Sequence, residues 1–230
     1  MDVRLSMDGR APAFPTCQRP AGGNKLCPAM PDTHQSAPFP AAGPAAPRRG
    51  SGALRALGRG LLWLLRWRVE GALPDVARCV VIVAPHTSNW DFVIGMGALL
   101  GLDLRITWLG KHTLFRGPFG RLWRALGGVP VDRNATDGTV EATARLFASG
   151  TPVWVGLAPE GTRRKVERWK SGFWRIARAA GVPILPVALD YGRRSLRLLP
   201  LYEPTADPAA DLEALQRHFT PDMARRRHQY

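Results

Sequence analysis

The chain has 230 residues, enough for one domain of ordinary size plus some tail, but short for two independent cores. A formal net charge of +14 favours anionic partners such as nucleic acid, acidic lipid or phosphorylated substrates, and does not choose among them. Cys17, Cys27 and Cys79 form no CxxC pair and no even-numbered set, which excludes a zinc ribbon or a secreted disulfide scaffold and suits a reducing, cytoplasmic setting.

Residues 1–50 hold nine Pro and five Gly with no apolar periodicity, so a disordered tail that buries no core is expected there. From residue 51 to 73 the texture changes. Leu54, Leu57, Leu61, Leu64 and Leu65 fall on one side of a helical wheel, with Arg55, Arg59 and Arg66 opposite and Trp67 near the margin. That pattern fits a helix lying in a membrane interface. It also fits an amphipathic helix packed on the protein's own core, with Gly58 and Gly60 weakening it. No run approaches the ~20 apolar residues of a spanning helix, and the opening residues lack the basic start and apolar core of a signal peptide. Contact with a membrane is therefore expected from one side, at its cytoplasmic face, as a peripheral or monotopic protein.

Between residues 74 and 205 short apolar runs alternate with helical segments, which predicts a single α/β domain with a largely parallel central sheet flanked by helices. The predicted strands are Cys79–Ala84, Leu104–Leu109, Val129–Val131, Pro152–Leu157, Ile184–Leu189 and Leu196–Leu199. Helices are predicted near Ser88–Leu100, Pro118–Leu126, Gly138–Ala148 and Ser171–Ala180, the last two each stopped by a glycine, Gly150 and Gly181. Residues 206–230 read as one short polar helix and a basic tail carrying Arg225, Arg226 and Arg227.

His86-Thr87-Ser88-Asn89-Trp90-Asp91 follows the apolar run Val80–Ala84, in the strand-to-helix loop where open α/β sheets bind ligands. Asp91 can accept the Nδ1 proton of His86, which fixes the tautomer and lets Nε2 take a proton from an attacking hydroxyl. No Gly-x-Ser-x-Gly elbow occurs and Cys79 lies inside a strand, so the nucleophile is expected to be the substrate's own hydroxyl rather than a side chain. A second reading of the same residues is a helix start, with Ser88 and Asp91 as a capping-box pair.

Three further blocks follow: Gly127 to Arg133 (GGVPVDR), Ala158 to Arg163 (APEGTR) and Val182 to Val187 (VPILPV). With His-x4-Asp, their order and spacing resemble the glycerolipid acyltransferase family that includes the lysophosphatidate (1-acyl-glycerol-3-phosphate) acyltransferases, over about Val80 to Asp190. Lys170-Ser171-Gly172 stands in the place of a Lys-Thr-Gly often seen after the third block. The resemblance implies an acyltransferase domain over 74–205, with His86 the catalytic base and Asp91 its partner. It also implies that Arg133, Glu160, Gly161, Thr162, Arg163 and Lys170 serve the acceptor.

Guanidinium groups at Arg133 and Arg163 suit an acceptor phosphate. Gly161 allows close approach of backbone amides to an anion, and Glu160 can hold a guanidinium or a glycerol hydroxyl. The implied partners are a lysolipid acceptor, an acyl donor that is acyl-CoA or acyl-carrier protein, and an anionic membrane surface, with no metal or other cofactor. Ala158 stands where Phe is common, Arg164 where Ser is common and Pro85 where Asn is frequent, beside the acceptor and catalytic blocks, so the acceptor head group stays open. A lyso-ornithine lipid is the alternative acceptor. From another class, a non-catalytic lipid-binding membrane protein would use the basic surface and the helix alone. No nucleic-acid recognition motif accompanies the charge.

Overall fold

The uninterrupted apolar run Cys79–Ala84 is what a strand covered on both faces requires, and it forms the middle of the sheet. The computed structural model describes residues 39–131 and 136–230. Among these residues there are seven strands: β1 Arg68–Glu70, β2 Arg78–Ala84, β3 Ile106–Lys111, β4 Gly128–Val131, β5 Val153–Leu157, β6 Ile184–Asp190 and β7 Ser195–Leu198. Their order across the sheet is β1-β7-β6-β2-β5-β3-β4, parallel throughout except for the antiparallel pair β6–β7. The six predicted strands are there with ends shifted by one or two residues. β1 had no sequence signal: one valine between two charged residues is too short for a period, and only pairing with β7 makes it a strand.

Among the described residues six α-helices accompany the sheet: α1 Gly52–Leu64, α2 Asn89–Gly101, α3 Gly120–Ala125, α4 Thr136–Phe147, α5 Gly172–Ala180 and α6 Pro208–Gln216. Strand side chains alternate between two cores. Val81, Trp154, Leu185 and Val187 meet Leu62 of α1 and Ile94 and Ala98 of α2 on one face. On the other, Val80, Ile82, Val155 and Ile184 meet Phe147 of α4, Phe173 and Ile176 of α5, and Leu215 of α6.

The first helix packs on the core along one side only. Gly58 and Leu62 are buried against α2, while Leu57, Trp63 and Leu64 are exposed. Gly58 is a contact rather than a defect: a methyl there would fall 2.6 Å from the Gly97 carbonyl oxygen and closer still to the Gly101 nitrogen. Trp67, just past the helix, is buried.

One expectation about the ends is corrected. Residues 1–38 lie outside the described residues, but 39–50, expected to be disordered, lie on the domain. Ala46 is buried, Arg49 donates its N–H to the Asp103 carbonyl at 2.9 Å and Arg105 donates to that of Pro47 at 2.9 Å. A proline-rich segment builds no core of its own, yet its carbonyls still accept and its small side chains fill an existing surface. At the other end, the expected basic tail at 217–230 packs on the domain. Phe219, Met223 and Ala224 are buried, and the short 3₁₀ turns Pro221–Met223 and Arg227–Gln229 form a strap. The strap starts from α6, which is fixed by buried Asp211 accepting from Trp174 Nε1, Tyr202 Oη and Thr205.

Candidate active site

β5, β2 and β6 are neighbours and run parallel, so the loops after them meet at one end of the sheet. The loop after β2 brings His86 and Asp91, that after β5 brings Glu160 to Arg163, and that after β6 brings Tyr191. Ser88 is the N-cap of α2. Its hydroxyl accepts from Trp90 N, and Asp91 Oδ2 accepts from Ser88 N at 2.6 Å, completing a capping box. The same Oδ2 lies 3.4 Å from His86 Nδ1. One side chain thus both closes the capping box and lies beside the His86 imidazole, because N3 of the helix faces back over the loop. Asp91 has no exposed side-chain surface, whereas the His86 imidazole keeps 23% of its surface open.

Glu160, expected to serve the acceptor, is not in the lining of the cavity described below. The residue is 3% exposed, and its carboxylate accepts the backbone N–H of His86 at 2.9 and 3.1 Å. Burial pushes its pKa up to about 7; the His86 N–H works against that rise and the charge of Asp91 adds to it. Gly161 takes φ +65°, which favours glycine, and spends its N–H on the Ala158 carbonyl to close the turn rather than presenting it to an anion. Lys170 is exposed and its stem crosses Gly161, outside the cavity described next. Arg133 lies outside the described residues.

A cavity of about 570 Å³ opens at His86 and runs between α2 and the sheet. His86, Asp91, Gly161, Thr162 and Arg163 line one end with two further cations, Lys111 and Arg164. The remainder is apolar, with Val83, Phe92, Met96 and Trp108 nearer His86 and Ile106, Trp154 and Leu185 deeper. Gly95 on α2 and Gly156 on β5 widen it by lacking side chains. Leu114, also in the lining, is half-exposed, and beyond it Phe119, the N-cap of α3, and Leu122 within α3 are exposed. The space suits an amphiphile whose reactive centre sits between a cationic end and an apolar channel.

Other partners had no sequence signal. Tyr191 Oη donates to Asp91 Oδ1 at 2.5 Å across 100 residues of chain. From the strap, Arg225 Nη1 donates to Ser88 Oγ at 3.4 Å and Arg226 N to Thr87 Oγ1 at 3.4 Å. Gln229, with its amide nitrogen turned inward, donates to the carbonyls of Thr87 at 3.0 Å and Arg163 at 3.1 Å. The strap therefore ties the His86 loop to the Arg163 loop.

A family model described as Acyltransferase matches residues 66–190. The 1-acyl-sn-glycerol-3-phosphate acyltransferase of Escherichia coli (strain K12) is 30% identical over 125 residues, 51% of this chain and 49% of that protein. The protein of the same name from Salmonella typhimurium is 31% identical over 117 residues, 48% of this chain and 46% of that protein. The chain thus spans about half the length of these curated relatives. The crystal structure of the 1-acyl-sn-glycerophosphate (LPA) acyltransferase PlsC from Thermotoga maritima superposes with a TM-score of 0.53 over 72% of this chain and 76% of that one. At 23% identity that likeness speaks for the fold alone.

Proposed function

The chain belongs to the acyltransferase family, and from that premise we propose that it moves a fatty acyl group from a thioester, acyl-CoA or acyl-carrier protein, to the hydroxyl of a lysolipid such as 1-acyl-glycerol-3-phosphate. The observation that carries the reading is the placing of His86 and Asp91 where the cationic end of the cavity meets its apolar channel. The acyl chain of the donor lies in the channel. The acceptor's phosphate lies against Arg163, Arg164 and Lys111, which Arg133 is expected to join.

His86 Nε2 takes the proton of the acceptor hydroxyl as its oxygen attacks the thioester carbonyl carbon. The imidazolium so formed is stabilised by Asp91, whose carboxylate is already fixed at Nδ1. The tetrahedral oxyanion collapses, the carbon–sulfur bond breaks, and the leaving thiolate receives the proton from Nε2. Ester and thiol are the products, and no metal or redox group enters the scheme.

The enzyme works on a membrane surface as a peripheral protein. Among the described residues no helix is long and apolar enough to cross a bilayer, and α1 exposes Leu57, Trp63 and Leu64. A strongly basic chain adds attraction to anionic lipid. The test is acyl transfer by purified protein from acyl-CoAs and acyl-carrier protein to lysophosphatidate and lyso-ornithine lipid, beside His86→Ala. Turnover on lysophosphatidate that drops at least about 100-fold in the variant is expected. Preference for lyso-ornithine lipid would reassign the acceptor, and absence of transfer with folded protein would favour a binding role.

A further inference from the structure

We propose that Tyr191, which belongs to none of the four sequence blocks, is a positioning residue that fixes the Asp91 carboxylate and through it the tautomer of His86. The inference rests on His86 being the base and deepens that reading.

A carboxylate can turn about its last side-chain bond, and that torsion is broad. Ser88 N–H and His86 Nδ1 both address Oδ2 of Asp91, at 2.6 and 3.4 Å, so they leave the plane of the group loosely defined. Tyr191 Oη addresses the other oxygen at 2.5 Å and supplies the second point that sets it. The donor is itself held. Its ring meets Trp67 edge-on with centroids 4.9 Å apart, Arg225 lies 6.0 Å from its centroid, and its backbone N–H donates to the Met223 carbonyl at 2.9 Å. Arg225 is fixed in turn over Trp90 and on Ser88 Oγ.

Burial and then the Asp91 carboxylate push the phenol's pKa upward, with Arg225 pulling the other way, so Tyr191 stays a donor. Being neutral, it orients Asp91 without cancelling the charge that the imidazolium needs. Charged groups around the pair include Glu160, on the His86 backbone, Arg225, and Lys111, Arg163 and Arg164 at the same end of the cavity. This role differs from packing because a phenylalanine keeps the ring contacts and loses only the hydroxyl.

The experiment reads the imidazole tautomer of His86 by nitrogen-15 chemical shifts at neutral pH, with the signal assigned by its loss in His86→Ala. Wild type is expected to show the Nδ1-protonated form alone, and Tyr191→Phe a mixture of both. With palmitoyl-CoA and lysophosphatidate, Tyr191→Phe is expected to lower kcat about tenfold while both KM values stay within about twofold. In an Asp91→Asn background the same change should have less than about a twofold effect. Mixed tautomers in wild type overturn the proposal without any Tyr191 variant. Identical tautomers and kcat in wild type and Tyr191→Phe, or an undiminished effect in the Asp91→Asn background, also overturn it. Absence of acyl transfer in wild type, with the tautomer change still present, would sink the proposed reaction and leave the positioning role standing.

Discussion

Replacing Glu160 by glutamine separates its observed place from an acceptor-binding role. In the folded protein Glu160 holds its proton up to about pH 7, whereas in the unfolded chain it ionises near 4.5. Between those values the folded state binds the extra proton, so stability is greatest below about pH 4.5 and falls as pH rises through about 7. At about 1.4 kcal/mol for each tenfold in proton affinity, the total is about 3 kcal/mol. Urea unfolding at pH values from about 4.5 to 8 measures it. Taken as wild type minus Glu160→Gln, the difference cancels other titrating groups and is expected to fall by about 3 kcal/mol across the window. A difference that stays flat with pH would refute the assignment. The kinetics give a second check. Glutamine keeps one oxygen for the His86 N–H, so kcat should drop about tenfold with the acceptor KM nearly constant. A large rise in acceptor KM at constant kcat would return Glu160 to the acceptor.

Gly58→Ala and Gly60→Ala should act in opposite directions in thermal melts. The first drives a methyl into the α2 backbone and loses about 1–3 kcal/mol, while the second, with open space around it, gains about 1 kcal/mol. Equal effects would mean α1 is not seated on α2 through Gly58. Gly95 lines the cavity, and a Cβ added there meets nothing within 4 Å, so Gly95→Leu extends a side chain into that space. It should lower kcat/KM for palmitoyl-CoA at least about tenfold and leave butyryl-CoA within about threefold, since each lost buried methylene weighs about 0.8 kcal/mol. A uniform loss on both donors would place the acyl chain elsewhere. Leu57→Glu with Leu64→Glu should weaken sedimentation with anionic liposomes without moving the melting temperature, because both side chains are exposed. Unchanged sedimentation would remove α1 from the membrane contact.

The sequence alone determined whatever a local pattern encodes. The buried strand Cys79–Ala84, the amphipathic α5 and the glycine stop at Gly181 follow from side-chain period and backbone freedom within a dozen residues. The nearness of His86 to Asp91 was also legible, because the short stretch from strand end to first helical turn keeps the two side chains together. Tertiary structure decided what the neighbours are. Sheet order sets β5 and β6 on either side of β2, and this turns Glu160 from an expected acceptor residue into the acceptor of the His86 N–H. It also carries Tyr191 to an aspartate 100 residues away. The packing of α1 showed Gly58 to be a contact, and the docking of 39–50 and 217–230 made surface layers of segments whose composition had suggested only disorder or charge. Such features depend on contacts between residues far apart in the chain, whose hydrogen bonds and burial leave no period or spacing to read.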